Sequence, residues 1–207
     1  ALNYKHSRGG YVEHVPDSLT KAFYTVGGRE VRDGGGIKPD VEVKPDSLPN
    51  IAFYLAGARD SNEVMLNYEV DYIAKHPTIA SPEEFALTDA DYEEFKARVL
   101  KANFKYDRET EKYLKDLEKL AKFEGYYEDA KPEFEALKKK LSHNVAKDLD
   151  YNKATIKRLL ENAIVAAYYY QAGAIRNSRR YDKVVKEASR LLNSPEEYAK
   201  ILHPKKK

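Results

Sequence analysis

The sequence predicts a mainly α protein: a multi-helix bundle that follows a small N-terminal β segment made of a hairpin and one short strand. Three observations carry this expectation. Seven of the ten glycines fall before residue 37, and only Gly57, Gly125 and Gly173 follow. Short β-branched and aromatic runs flank Gly27-Gly28, as they do in hairpins. After Leu48 apolar residues recur at three- and four-residue steps, the period of an amphipathic helix. The expected division is residues 1–47 as a β segment and 48–207 as an α-helical domain.

Residues 1–21 are polar, contain Gly9-Gly10 and Pro16, and read as a surface loop. His6 and His14 lie there; with no carboxylate or cysteine at ligand spacing, they read as solvated residues rather than a metal pair. Ala22 to Val26 and Arg29 to Arg32 are the arms of the hairpin, with Gly27-Gly28 supplying the positive φ of a two-residue type I′ or II′ turn. Asp33-Gly34-Gly35-Gly36 is a glycine loop. Phosphate-binding loops need Lys-Ser/Thr opening a helix, or GxGxxG between strand and helix. Here Ile37-Lys38-Pro39-Asp40 follows, and Pro39 turns Lys38 away from helix. The loop is therefore read as a tight turn, and Val41-Glu42-Val43 as a short strand.

Ser47 to Ala56 predicts a short helix closed by Gly57, and Asp60 or Ser61 caps a helix to Lys75 that His76-Pro77 stops. Thr88-Asp89-Ala90-Asp91 has the form of a capping box, opening a helix with Tyr92, Phe95 and Val99 on its apolar stripe. Asp107 opens another, with Tyr113, Leu117, Leu120 and Ala121 in line. Pro132 is expected in the first turn of the next, where Phe134, Leu137, Leu141 and Val145 recur. Asn162 to Ile175 carries no charge, so it reads as a helix apolar on all sides at the bundle centre, too short to span a bilayer. Its Tyr168, Tyr169 and Tyr170 are expected to pack with their hydroxyls on backbone or water, the alternative being a face at a partner interface. Asn177 or Ser178 is expected to cap a helix with Tyr181, Val184, Val185, Ala188, Leu191 and Leu192 on its seam. Ser194-Pro195-Glu196-Glu197 then opens the last helix.

Charge and composition exclude several classes. A net charge of +2 argues against a dedicated nucleic-acid binder. Arg176, Arg179, Arg180, Lys183, Lys186 and Arg190 gather in one stretch, and Glu83, Glu84, Asp89, Asp91, Glu93 and Glu94 in another. Such segregation reads as solvated faces or internal pairing, so neither nucleic acid nor a membrane is expected as a partner. With no cysteine there is no disulfide, thiolate nucleophile or cysteine zinc site. His143, beside Leu141, reads as a partly buried polar residue rather than a ligand or base. No catalytic, cofactor-binding or metal-binding residue is assigned, and no cofactor is expected. The opening ALNYKHSRGG has no apolar run and does not read as a signal peptide.

Gly36-Ile37 and Pro39-Asp40, within GREVRDGGGIKPDVEV, resemble the closing segment of the peptidase core in the C-terminal processing, or tail-specific, serine peptidases. The stretches PDSLPNIAFYLAG, EKYLKDLEKLAKFEGYY, KLSHNVAKDLD and AYYYQAGAI are similar to the helical C-terminal region in a Bacteroidetes-type branch of that family. The resemblance implies that residues 1–47 close the peptidase core of a periplasmic or otherwise extracytoplasmic endopeptidase with a Ser-Lys dyad, which cleaves proteins near their C-termini. In that family the serine sits in a glycine-serine-alanine type of motif and the lysine between glycines, both before the segment matched here. No serine or lysine of this chain has that setting, and a serine is a weak nucleophile without its base. The chain is therefore expected to be non-catalytic by itself, completing the core and supplying a helical scaffold for self-association or for handling substrate or an adaptor. The implied partners are the remainder of the peptidase core and its PDZ domain, protein substrates or an adaptor, and further copies in a homo-oligomer. The alternative is an autonomous helical interaction module unrelated to proteolysis.

Overall fold

A computed structural model describes residues 17–33, 39–44, 46–57, 63–142 and 144–202. The chain divides into two compact units: Leu48–Arg180, and Ala1–Ser47 together with Tyr181–Lys207. His6, His14, the Gly34–Gly36 loop, the Asp60 and Ser61 cap positions and His143 lie outside the described residues.

In the N-terminal segment a 3₁₀ turn (Asp17–Leu19) leads to strands β1 (Ala22–Tyr24) and β2 (Glu30–Arg32). They pair antiparallel with Phe23 opposite Val31. Their connection differs from a two-residue turn. Gly28 N donates to Thr25 O at 2.8 Å, Thr25 N donates to Arg29 O at 2.9 Å, and of the glycine pair only Gly28, at φ 78°, is left-handed. This is a three-residue loop, a tight turn followed by a left-handed glycine, which suits strand twist nearly as well. Val41 to Val43, expected as a strand, forms no ladder.

Unit Leu48–Arg180 contains α1 (Asn50–Ala56), α2 (Val64–Lys75), α3 (Asp89–Lys101), α4 (Glu109–Glu124), α5 (Tyr127–Lys140), α6 (Val145–Tyr151) and α7 (Lys153–Ser178). Its core draws on the apolar faces of α1, α2, α3, α6 and α7, with Ile51, Tyr68, Tyr92, Phe95, Leu149, Ile156 and Leu160 buried together. Each such side chain contributes about 1.5–3 kcal/mol by leaving water. Buried phenols need partners for their hydroxyls, and these have them: Tyr92 donates to Leu149 O at 2.7 Å and Tyr68 to Asp91 O at 2.9 Å. Burial raises both phenols above their ordinary pKa. The capping box at α3 forms as expected, Asp91 N donating to Thr88 Oγ1 at 3.1 Å and Thr88 N to Asp91 Oδ2 at 2.8 Å.

Several helix boundaries depart from the sequence reading: α1 begins at Asn50 rather than Ser47, and α4 at Glu109, with Arg108 rather than Asp107 at its cap. α5 begins at Tyr127, so Pro132 lies inside it rather than in its first turn. Gly125, left-handed at φ 83°, ends α4, and the acidic Glu128 and Asp129 suit a helix start immediately after it. Pro132 then forgoes one backbone hydrogen bond. α5 stops at Lys140, and Val145 opens α6 instead of extending the α5 stripe, because the Asn144 side chain accepts from Lys147 N at 3.0 Å and starts a new helix. Asn177 and Ser178 finish α7. The next helices, α8 (Lys183–Leu192) and α9 (Pro195–Leu202), belong to the other unit. Asp182 caps α8, accepting from Val184 N at 2.8 Å and Val185 N at 3.1 Å.

The largest departure is in α7. Tyr170 has φ 56° and ψ −163°, so the uncharged stretch forms two helical arms, 153–169 and 171–178, rather than one rod. Asn162 Nδ2 donates to Ala174 O at 2.8 Å. Twelve residues of straight helix would hold them about 18 Å apart, so the second arm folds back against the first. The first arm is the bundle centre that was expected, with Ile156, Leu160, Ile164 and Val165 fully enclosed, while Tyr170 and Ile175 are exposed.

Candidate interaction surfaces

The fold-back of α7 brings its tyrosines and cations against residues 76–88. Tyr168 donates to His76 O, and Tyr169 to Ile79 O at 3.2 Å. Asn177, wholly buried, donates from Nδ2 to Pro82 O at 2.8 Å; its Oδ1 is buried without a hydrogen-bond partner. Arg180 donates to Phe85 O at 2.6 Å, and the buried Glu161 accepts from Leu87 N at 3.0 Å. Two of the three consecutive tyrosines thus bond backbone as expected, and Tyr170 faces solvent.

The acidic stretch is paired with cations, one of them, Arg176, from the basic stretch. Arg176 grips Glu83 through two bonds, at 2.5 and 2.8 Å, and holds its carboxyl below the usual range. Lys153 and Lys157 lie 3.1 and 3.4 Å from Asp89 and lower it likewise. Lys75 and Arg98 share Glu94. In the other unit Lys183 pairs with Asp46, and Arg190 binds both Glu187 and Glu197. Three of the six cations of the basic stretch, Arg176, Lys183 and Arg190, are therefore held in internal ion pairs.

A cleft of about 500 Å³ opens between α1 and the start of α4. Asn50 Nδ2 donates to Asp107 O at 2.5 Å and Tyr54 to Asp107 Oδ2 at 3.0 Å, fixing one wall, while Phe53 is half exposed. Arg108, Lys112, Lys115 and Lys119 are balanced by Asp107, Glu109, Glu111 and Asp116. The lining contains no serine, cysteine or histidine, so it offers no hydroxyl of serine, thiol or imidazole for a nucleophile–base pair.

Larger apolar exposure lies elsewhere. Every residue of β1 and β2 is exposed, including Phe23, Tyr24 and Val31. On α4 and α5, Tyr113, Leu117, Leu120 and Leu137 are each 41–55% exposed. α8 is strongly amphipathic yet buries no residue. Sequence reasoning placed the α4, α5 and α8 side chains on apolar stripes; which stripes find cover within the chain is a tertiary fact with no local signal.

Among the described residues no group of three or more histidines, cysteines or carboxylates could hold a metal ion, and no helix is long and apolar enough to cross a membrane. No curated protein and no solved structure matches the chain. A family model does: residues 51–192, from α1 to the end of α8, match the family described as "Probable PDZ-protease, C-terminal helical domain". The chain, carrying this helical domain of a protease over more than half its length, belongs to that family.

Proposed function

We propose that the chain is the non-catalytic C-terminal region of a serine endopeptidase that processes proteins near their C-termini. β1 and β2 complete the sheet of the peptidase core, and the helices serve self-association or the holding of a substrate or adaptor. The observation that carries this reading is the hairpin: six residues in two strands, all exposed, with Phe23, Tyr24 and Val31 among them. Two short strands are marginal alone, and their outer edges are templates for further pairing. The missing cover is the rest of a sheet. Catalysis then lies upstream, with the Ser-Lys dyad that the sequence resemblance implies, and the setting is extracytoplasmic, in the periplasm. Among the described residues the serine hydroxyls that donate do so to Glu84 and to Ile175 O, not to a lysine.

The test mixes the chain with the upstream part of the protease and follows two readouts. Hydrolysis of an unfolded protein should be absent for the chain alone, weak for the upstream part, and restored on mixing. Amide hydrogens of residues 22–32 should exchange freely in the chain alone and become protected in the mixture. Cleavage by the chain alone, or a fully active upstream part that leaves 22–32 unprotected, sinks the reading. The latter result would favour an autonomous interaction module, for which the self-contained core of Leu48–Arg180 is the support.

A further inference from the structure

α4 and α5 pack as an antiparallel hairpin with Leu114 and Phe134 between them, 8% and 9% exposed. The two flanks of this seam differ. On one, Glu118 lies 2.9 Å from Lys138 and 3.1 Å from Lys122, Tyr127 bonds Glu118, and the Lys122 ammonium sits 4.4 Å over the Tyr127 ring. This flank is neutralised within the hairpin. At about 100° per residue, Glu118 and Lys138 each fall some 40° to one side of Leu114 and Phe134, whereas Leu117 and Leu137 each fall about 60° to the other.

The second flank is therefore apolar, built from Tyr113, Leu117 and Leu120 of α4 and Leu137 of α5, all substantially exposed. Its rim charges are Glu124 at the turn end, Glu133 midway along α5 and Lys140 at the opposite end. Among the described residues, these three have no ion-pair partner, in contrast to the paired charges of the first flank. Glu109, also at the Lys140 end, sits in the first turn of α4, where it offsets that helix's own dipole.

An apolar strip with opposite charges at its two ends is complementary to itself once inverted. We propose that this flank is a homodimer interface: two copies lay it together about a two-fold axis, antiparallel, forming a four-helix bundle in which Glu124 and Glu133 of each copy face Lys140 of the other. The proposal rests on the self-association part of the reading above and names its surface and partner. A parallel arrangement would set carboxylates against carboxylates, so charge selects the antiparallel one.

Sedimentation equilibrium of the full chain at tens of micromolar should show a dimer. Leu117→Glu with Leu120→Glu should give a monomer of unchanged helix content, since both side chains are half exposed and outside the seam. Glu133→Lys alone and Lys140→Glu alone should each weaken the dimer about three- to tenfold, every change acting twice by symmetry, and the two combined should restore it. A monomeric wild type, a dimer indifferent to the leucine changes, or a double charge variant no tighter than the single ones overturns the proposal. The mixing experiment above can still succeed with a monomeric helical unit, so the two failures are distinguishable.

Discussion

Gly173 shows how one residue sets the geometry of the longest helix. A Cβ added there would lie 2.2 Å from Tyr169 Cβ and 3.4 Å from Val165 Cγ1, and Tyr169 Cβ, fixed to the backbone, cannot swing aside. Gly173→Ala should therefore force the two arms of α7 apart and lower stability by about 2–3 kcal/mol, read as a fall in Tm of several degrees. An unchanged Tm would mean that the arms are not closely packed. Tyr170 at the corner holds a backbone conformation that glycine normally takes, at a cost of about 1–3 kcal/mol, which Asn162 and the clasp on residues 76–88 offset. Glu69 on α2 carries a different strain: burial pushes its carboxyl up from 4.5 to about 7. A carboxyl raised on folding binds its proton more tightly in the fold. Its contribution is thus fully present below pH 4.5 and is lost as pH rises through 7. Glu69→Gln should remove that loss. Urea denaturation should show it gaining about 1 kcal/mol on the wild type between pH 4.5 and pH 8, the shift being discounted for partial exposure; parallel pH profiles for the two proteins would dispose of the idea.

Elements were legible where a side chain acts on the backbone beside it. Thr88 and Asp91 cap α3 within four residues, so the sequence string states the bond, and Thr88→Ala should cost about 1 kcal/mol in chemical denaturation. A loss within error would show that Asp91 alone holds the helix start. Pro195 opening α9 is the same kind of local statement. Pro132 was misread because a proline is tolerated inside a helix when neighbouring packing outweighs one lost bond. In α5 that packing comes from Phe134 against Leu114, which no window of sequence around Pro132 contains. Tyr170 is the clearest case. An uncharged stretch of good helix formers says nothing of a corner, because the corner depends on what the second arm grips.

At the scale of the whole molecule, the mainly α class and the hairpin could be read from glycine distribution and apolar period, since both are summed over many residues. The candidate surfaces could not. Leu117 and Leu120 look in sequence like any core stripe, and only the packing of α4 on α5 shows that they lie beside the seam rather than in it. Val184 and Leu192 on α8 are exposed for a reason equally invisible to local pattern. The family match covers residues 51–192 and so places the α4–α5 flank within the C-terminal helical domain of a protease.

The clasp of α7 on residues 76–88 also bears on how the protein is made. Tyr169 and Ile79 are 90 positions apart, and Asn177 and Pro82, like Arg180 and Phe85, are 95 apart. On a ribosome, α2 and α3 emerge early and α3 caps itself, yet the loop between them cannot be closed until residue 180 has left the exit tunnel. The unit therefore assembles at its last step, after most of its length has been exposed to the chaperones and proteases that survey nascent chains.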